Sequence, residues 1–195
     1  MADYFFDLSR QDQREALEYG RAETGRPTHL LEKDVWVVWA LRALFESSLA
    51  ADLTFKGGTS LSKVYRVIDR FSEDLDLTYD IRKLIPDLIG EGEDLPASRS
   101  QASKWTQAVR HRLPDWITQH VQPVIQAALA RERLDAQIEL GGREHDKLLL
   151  RYPALAQGTG YVAKRGLPSM TTDSGDHDRC VSVGLNNNAL SSTLR

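Results

Sequence analysis

The sequence holds a single cysteine, Cys180, so no internal disulfide can staple the chain, and this usage fits a reducing cytoplasm. It has no excess of positive charge. The net charge is −3, which excludes a globally basic nucleic-acid binder and leaves room only for a local basic patch. No uninterrupted apolar run approaches the roughly 20 residues of a membrane span. The opening stretch, Met1-Ala2-Asp3-Tyr4-Phe5-Phe6-Asp7, lacks the basic and apolar regions of a signal peptide. Histidines are few and scattered: His29, His111, His120, His145 and His177 never take the i, i+4 spacing of a zinc-binding helix. What is present is a chain of 195 residues, 41% of them hydrophobic, enough to bury one core. These observations predict a soluble, cytoplasmic, single-domain protein away from any membrane.

Along the chain, Ser9 to about Thr24 reads as a helix that Pro27 and Thr28 interrupt. From His29 to Leu49 the positions Leu30, Leu31, Val35, Val38, Leu41, Leu44 and Phe45 recur at helical spacing and predict an amphipathic helix with those residues on its buried face. Glu32 and Asp34 suit the positive end of its dipole. Asp52 to Lys56 is a short apolar strand stopping at two glycines, and Thr59 to Arg70 is helical in pattern. Glu73 to Tyr79 alternates strictly, with Asp74, Asp76 and Thr78 on one face and Leu75, Leu77 and Tyr79 on the other, so a second strand is expected. Pro86 to Ser103 reads as a loop, and Lys104 to about Arg133 as helix broken near Pro114 and Pro123. Ala136–Leu140 and Lys147–Tyr152 read as a hairpin around Gly141-Gly142. Trp36, Trp39, Trp105 and Trp116 fall in helical patterns as core, and Glu144-His145-Asp146 reads as a polar turn. After Arg165 the sequence is polar, with only Cys180-Val181-Ser182-Val183 resembling a strand.

The informative stretch runs Phe55-Lys56-Gly57-Gly58-Thr59-Ser60-Leu61-Ser62-Lys63, then Phe71-Ser72-Glu73-Asp74-Leu75-Asp76-Leu77. Two glycines after a strand let the backbone approach a bulky anion without interference from Cβ atoms. The helix that follows offers free N–H groups and the positive end of its dipole. Thr59 and Ser60 add hydroxyl donors, and Lys63, one turn in, places an ammonium where triphosphate charge would need neutralising. Residues two apart on a strand project to one side, so Asp74 and Asp76 stand roughly 6–7 Å apart along the chain as paired hard ligands. Such a pair suits magnesium, and two ions about 3.5–4 Å apart can serve both the attacking and the leaving oxygens. Arg70, Ser72 and Lys63 are further candidate triphosphate contacts. Alone, Gly-Gly-Thr-Ser is a turn with an N-cap, and Asp-Leu-Asp is a solvated strand face. Joined as strand, Gly-Gly, helix and acidic strand, they form one connected unit with a chemical reading. A Walker A loop is excluded, because that motif needs a glycine immediately before its lysine, and Lys63 follows Ser62.

These residues resemble the AbiEii/AbiGii toxin family of the DNA polymerase β-like nucleotidyltransferase superfamily. The likeness extends upstream to Leu31-Glu32-Lys33-Asp34-Val35-Trp36-Val37. Downstream it takes in Leu148-Leu149-Leu150-Arg151-Tyr152-Pro153 with Gly160-Tyr161-Val162, so that it covers about residues 25 to 165. The resemblance implies an NTP-consuming toxin of a toxin–antitoxin or phage-defence pair, with tRNA or a protein side chain as acceptor and a cognate antitoxin as partner. It places Gly58, Thr59 and Lys63 at the nucleotide and Asp74 and Asp76 at the metal.

The family pattern continues through an acid-bearing strand and then a helical region with a lysine and an aspartate. Here Lys164-Arg165 leads instead into Gly-Leu-Pro-Ser-Met, and the tail reads as a truncated or frameshifted frame. Asp173, Asp176 and Asp178, in Gly- and Ser-rich surroundings, read as solvated. The sequence therefore predicts an α+β fold, a small mixed sheet with flanking helices. A helical region would span 1–50, a nucleotidyltransferase core 51–165 with a helical insertion over about 104–133, and a polar tail 166–195. The expected activity is transfer of an NMP group from Mg-NTP to a hydroxyl acceptor, with Gly57, Gly58, Thr59 and Ser60 holding phosphate. The second reading is a nucleotide- or partner-binding module that lacks turnover.

Overall fold

The fold is given by a computed structural model that describes residues 4–56, 74–90, 95–143, 145–155 and 178–185. Four helices, α1 (Arg10–Thr24), α2 (Thr28–Phe45), α3 (Arg99–Trp116) and α4 (Gln122–Glu132), accompany five strands among these residues. The strands are β1 (Leu53–Lys56), β2 (Asp74–Tyr79), β3 (Gln137–Gly141), β4 (Lys147–Pro153) and β5 (Asp178–Leu185). They form one sheet in the order β1-β2-β5-β4-β3. Only β2 and β5 run parallel; the other neighbours are antiparallel. This is the small mixed sheet with helices that the sequence predicts.

The alternation in β2 sorts its side chains as expected. Leu75, Leu77 and Tyr79 are buried, and they meet Val181, Val183, Leu185, Leu148, Leu150 and Tyr152 in one continuous core. Full burial of each such aliphatic side chain favours the fold by about 1.5–3 kcal/mol. Thr78 is also buried, its hydroxyl donating to the Thr54 carbonyl at 3.3 Å. The β3–β4 hairpin forms around Gly141-Gly142. At Gly142 φ is +85°, and a Cβ there would lie 2.2 Å from Asp146 Oδ1, so the turn requires glycine.

Helix α2 packs on this sheet through Trp36, Trp39 and Leu44 as expected, but the buried face is shifted away from Val38 and Phe45. Trp36, Val37, Trp39, Ala40, Ala43 and Leu44 are buried, whereas Val38 is 51% and Phe45 37% exposed. Two alanines let the helix backbone approach the sheet, and Trp36 stacks on Tyr152 with ring centroids 4.7 Å apart. Glu32 does not serve the dipole from a solvated first turn. It is fully buried, accepts from the Leu155 N–H at 2.7 Å and pairs with Arg179 at 3.5 Å. Burial, then the Glu32 charge, pushes the Tyr152 hydroxyl up from its usual range.

Two further expectations change. Helix α3 starts at Arg99, capped by Ser98 accepting from the Gln101 N–H, so the preceding loop is shorter than composition suggests. Pro114 lies within α3 without ending it. The interruption comes instead as a wide turn over Ile117–Val121, where the Gln122 N–H bonds the Ile117 carbonyl. Pro123 has no N–H to give the carbonyl of Gln119, and this i→i+5 turn reroutes the ladder around it. Trp105 and Trp116 are core residues, as expected.

The sheet does not stop at residue 165. Asp178–Leu185, within the stretch that reads as a polar tail, is an inner strand between β2 and β4.

Candidate functional site

The two carboxylates of the Asp-Leu-Asp motif sit on β2, whose register fixes their neighbours. Asp76 has Lys56 as its Cα partner on β1 and Gly184 on β5, while Asp74 is opposite Ser182. Gly184 in turn faces Lys147 at the start of β4. One row across the sheet therefore reads Lys56, Asp76, Gly184, Lys147. Strand β1 ends at Lys56, directly beside Asp76, so the chain enters the Gly57-Gly58 motif from the level of the carboxylate pair. Gly57, Gly58, Thr59, Ser60, Lys63, Arg70 and Ser72 themselves lie outside the described residues.

Asp76 is half-buried between Lys56 and Gly184. At Gly184 a Cβ would lie 3.5 Å from Asp76 Oδ1 and 4.0 Å from Lys147 Cε, so the glycine leaves space between them that a side chain would take. The Ser182 Oγ is buried and has no hydrogen-bond partner among the described residues. An orphaned hydroxyl in the strand beside Asp74 costs free energy unless something else completes it. The Asp76 carboxylate and the spare Ser182 hydroxyl are hard oxygen donors, and the glycine leaves room beside Asp76, donor chemistry that fits magnesium.

The donor set is also limited. Among the described residues, no group of three or more His, Cys, Asp and Glu is placed to hold a metal. The strand beside β2 carries Ser182 and Gly184 at the positions opposite the pair rather than an acid. Asp178 pairs with Pro153, four residues before Ser182, roughly 13 Å along the strand from the level of Asp74. It does not share a site with the pair. Asp173 and Asp176 lie outside the described residues. His111 and His120 are exposed on the surface, and His145 occupies the turn before β4 with φ of 52°.

Sequence reasoning passed over Lys147, Ser182 and Gly184. The available signal was the alternation Cys180-Val181-Ser182-Val183-Gly184-Leu185, which runs two residues beyond the strand-like core and puts serine and glycine on one face. On the helices after the sheet's second strand, Arg112 is taken by Asp87 and the Leu84 carbonyl, and Arg131 contacts Glu132. The Arg112 guanidinium holds the Asp87 carboxyl down at about 2.

Comparison with known proteins places residues 39–168 on the family model described as nucleotidyl transferase AbiEii toxin, type IV TA system. No curated protein and no solved structure matches the chain. Among the described residues, no helix is long and apolar enough to cross a membrane.

Proposed function

The chain belongs to the nucleotidyl transferase AbiEii toxin family of type IV toxin–antitoxin systems, and from that premise we propose that it transfers an NMP group from Mg-NTP to a hydroxyl of an RNA acceptor such as tRNA. The observation that carries this reading is the register of Lys56 with Asp76, which brings the Gly-Gly end of β1 to the side of the carboxylate strand. Asp74 and Asp76 are the metal ligands. Gly57, Gly58, Thr59 and Ser60 supply N–H and hydroxyl donors to the phosphates, while Lys63, Arg70 and Ser72 contact the triphosphate. Bound magnesium would neutralise phosphate charge and polarise the reacting phosphoryl group.

The acceptor oxygen bonds to the α-phosphorus, the bond from that phosphorus to the bridging oxygen breaks, and pyrophosphate leaves. The acceptor proton is released to water. The residues named act by positioning the reactants and by matching charge that grows on the leaving group. A cognate antitoxin is the expected partner, and the cytoplasm the expected compartment.

One observation favours a second reading, a binding module that holds Mg-NTP without turnover: the strand beside β2 presents Ser182 and Gly184 in place of a third acid. Incubation of the protein with labelled NTPs and bulk tRNA separates the two. The transferase reading expects label on tRNA with wild type and at least a hundredfold less with Asp76→Ala, on the order of removing one strong transition-state contact. Tight Mg-NTP binding with no label transferred identifies the binding module.

A further inference from the structure

Strand β4 brings a second cation to the carboxylate pair from outside the Gly-Gly motif. Lys147 and Asp76 lie on strands that flank β5, so their backbones are about 9–10 Å apart. The residue between them is Gly184, the Cα partner of both. Because it has no side chain, Asp76 Oδ1 and Lys147 Cε approach the same point, 3.5 Å and 4.0 Å from where a Cβ would stand. Both side chains thus border the space above the glycine. Lys147 is half-buried, and it enters no ion pair among the described residues. Exposed Lys56 flanks Asp76 on the opposite side, from β1. Two carboxylates alone repel a polyphosphate; a lysine whose stem borders the same space supplies a cation that offsets that. A lysine suits the task, since its compact charge on a flexible stem can follow a non-bridging oxygen.

We propose that Lys147, reaching across Gly184 beside Asp76, is a phosphate ligand for the polyphosphate chain of the bound nucleotide. The inference rests on the nucleotide reading above and deepens it, naming a charge-balancing residue supplied by the sheet. The phosphodiester of an RNA acceptor shares the same chemistry, so the test carries both anions.

Calorimetric titration of magnesium tripolyphosphate into the full chain reads the site independently of the base, and a single-stranded RNA oligonucleotide forms the second arm. Lys147→Met is expected to weaken tripolyphosphate binding about tenfold or more, the usual size of a lost charge-assisted contact. Lys147→Arg should retain most of it, and Lys104→Met, on the exposed face of α3, should match wild type. Lys147→Gln guards against a folding defect in the methionine variant, with thermal unfolding recorded for each protein. Tripolyphosphate binding unchanged in both Lys147→Met and Lys147→Gln overturns the role, as does a loss confined to RNA. Failure of the wild type to bind any magnesium polyphosphate instead overturns the nucleotide reading beneath it.

Discussion

Glu32 carries a charge with no exposure to water, and its stability depends on what meets it. The Leu155 N–H and the Arg179 guanidinium satisfy it, tying α2 to the residues on either side of the segment 156–177. Removing one partner of such a pair leaves the other charge buried, at a cost of about 3–5 kcal/mol. Glu32→Ala should therefore lower unfolding free energy by about that amount in urea titrations; a change under ~1 kcal/mol would contradict the pairing. Glu132 joins a second such cluster, accepting from the Tyr4 hydroxyl at 2.6 Å, the Trp39 indole N–H at 2.9 Å and Arg42 at 2.9 Å. Burial opposes its ionisation, but the hydrogen bonds from Tyr4 and Trp39 and the Arg42 charge prevail, and its carboxyl is held below the usual 4.5. A depressed carboxyl contributes stability above its unfolded value and loses it as pH falls through the folded one. Wild type should thus lose stability on acidification below about pH 4.5, and Glu132→Gln should be less stable at neutral pH with a flatter acid limb. Melting temperatures from pH 7 to 3 check this. Neither cluster could be read from the sequence, because Glu32 and Arg179, like Tyr4 and Glu132, meet only through the fold.

At the level of strands and helices, local pattern served where one face of an element decides its burial. The period-2 alternation of β2 and the two-glycine hairpin between β3 and β4 are legible because neighbours in sequence are neighbours in space. On α2 the core places of Trp36, Trp39 and Leu44 were legible, while Val38 and Phe45 were misplaced because the sheet selects Ala40 and Ala43 beside the tryptophans. Strand β5 was legible only at its centre, Cys180–Val183, and neither its full extent nor its inner position was. Its eight residues sit amid Ser, Asp and Gly, and its pairing with β2 and β4 is entirely non-local. Its inner position carries a consequence. Truncation after Leu155 would leave β2 and β4 without a common partner, so the shortened chain should lose cooperative thermal unfolding, with its near-UV signal flattened. A truncated protein that unfolds cooperatively near the wild-type temperature would show that β5 is dispensable. Within the sheet, Leu75→Ala, at a fully buried position, should cost about 2–5 kcal/mol by denaturant titration.

Across the molecule, a sheet built on a buried aliphatic face leaves its other face to carry a row of charge, Lys56, Asp76 and Lys147, around one glycine. The pair Asp74 and Asp76 was legible in sequence because a strand's period places both on one side and the family form surrounds them. The strand that completes their surroundings was not, since Ser182 and Gly184 reach them only by sheet registration. On the proposed reading, this pair holds magnesium with a nucleoside triphosphate. Equilibrium binding of the four NTPs, with magnesium and with excess chelator, to wild type and Asp76→Ala tests it most directly. At least one NTP should bind in a manner that requires magnesium and weakens by tenfold or more, ~1.4 kcal/mol, in Asp76→Ala. Binding that is indifferent to both magnesium and the substitution, or its absence from the folded wild type, would contradict it.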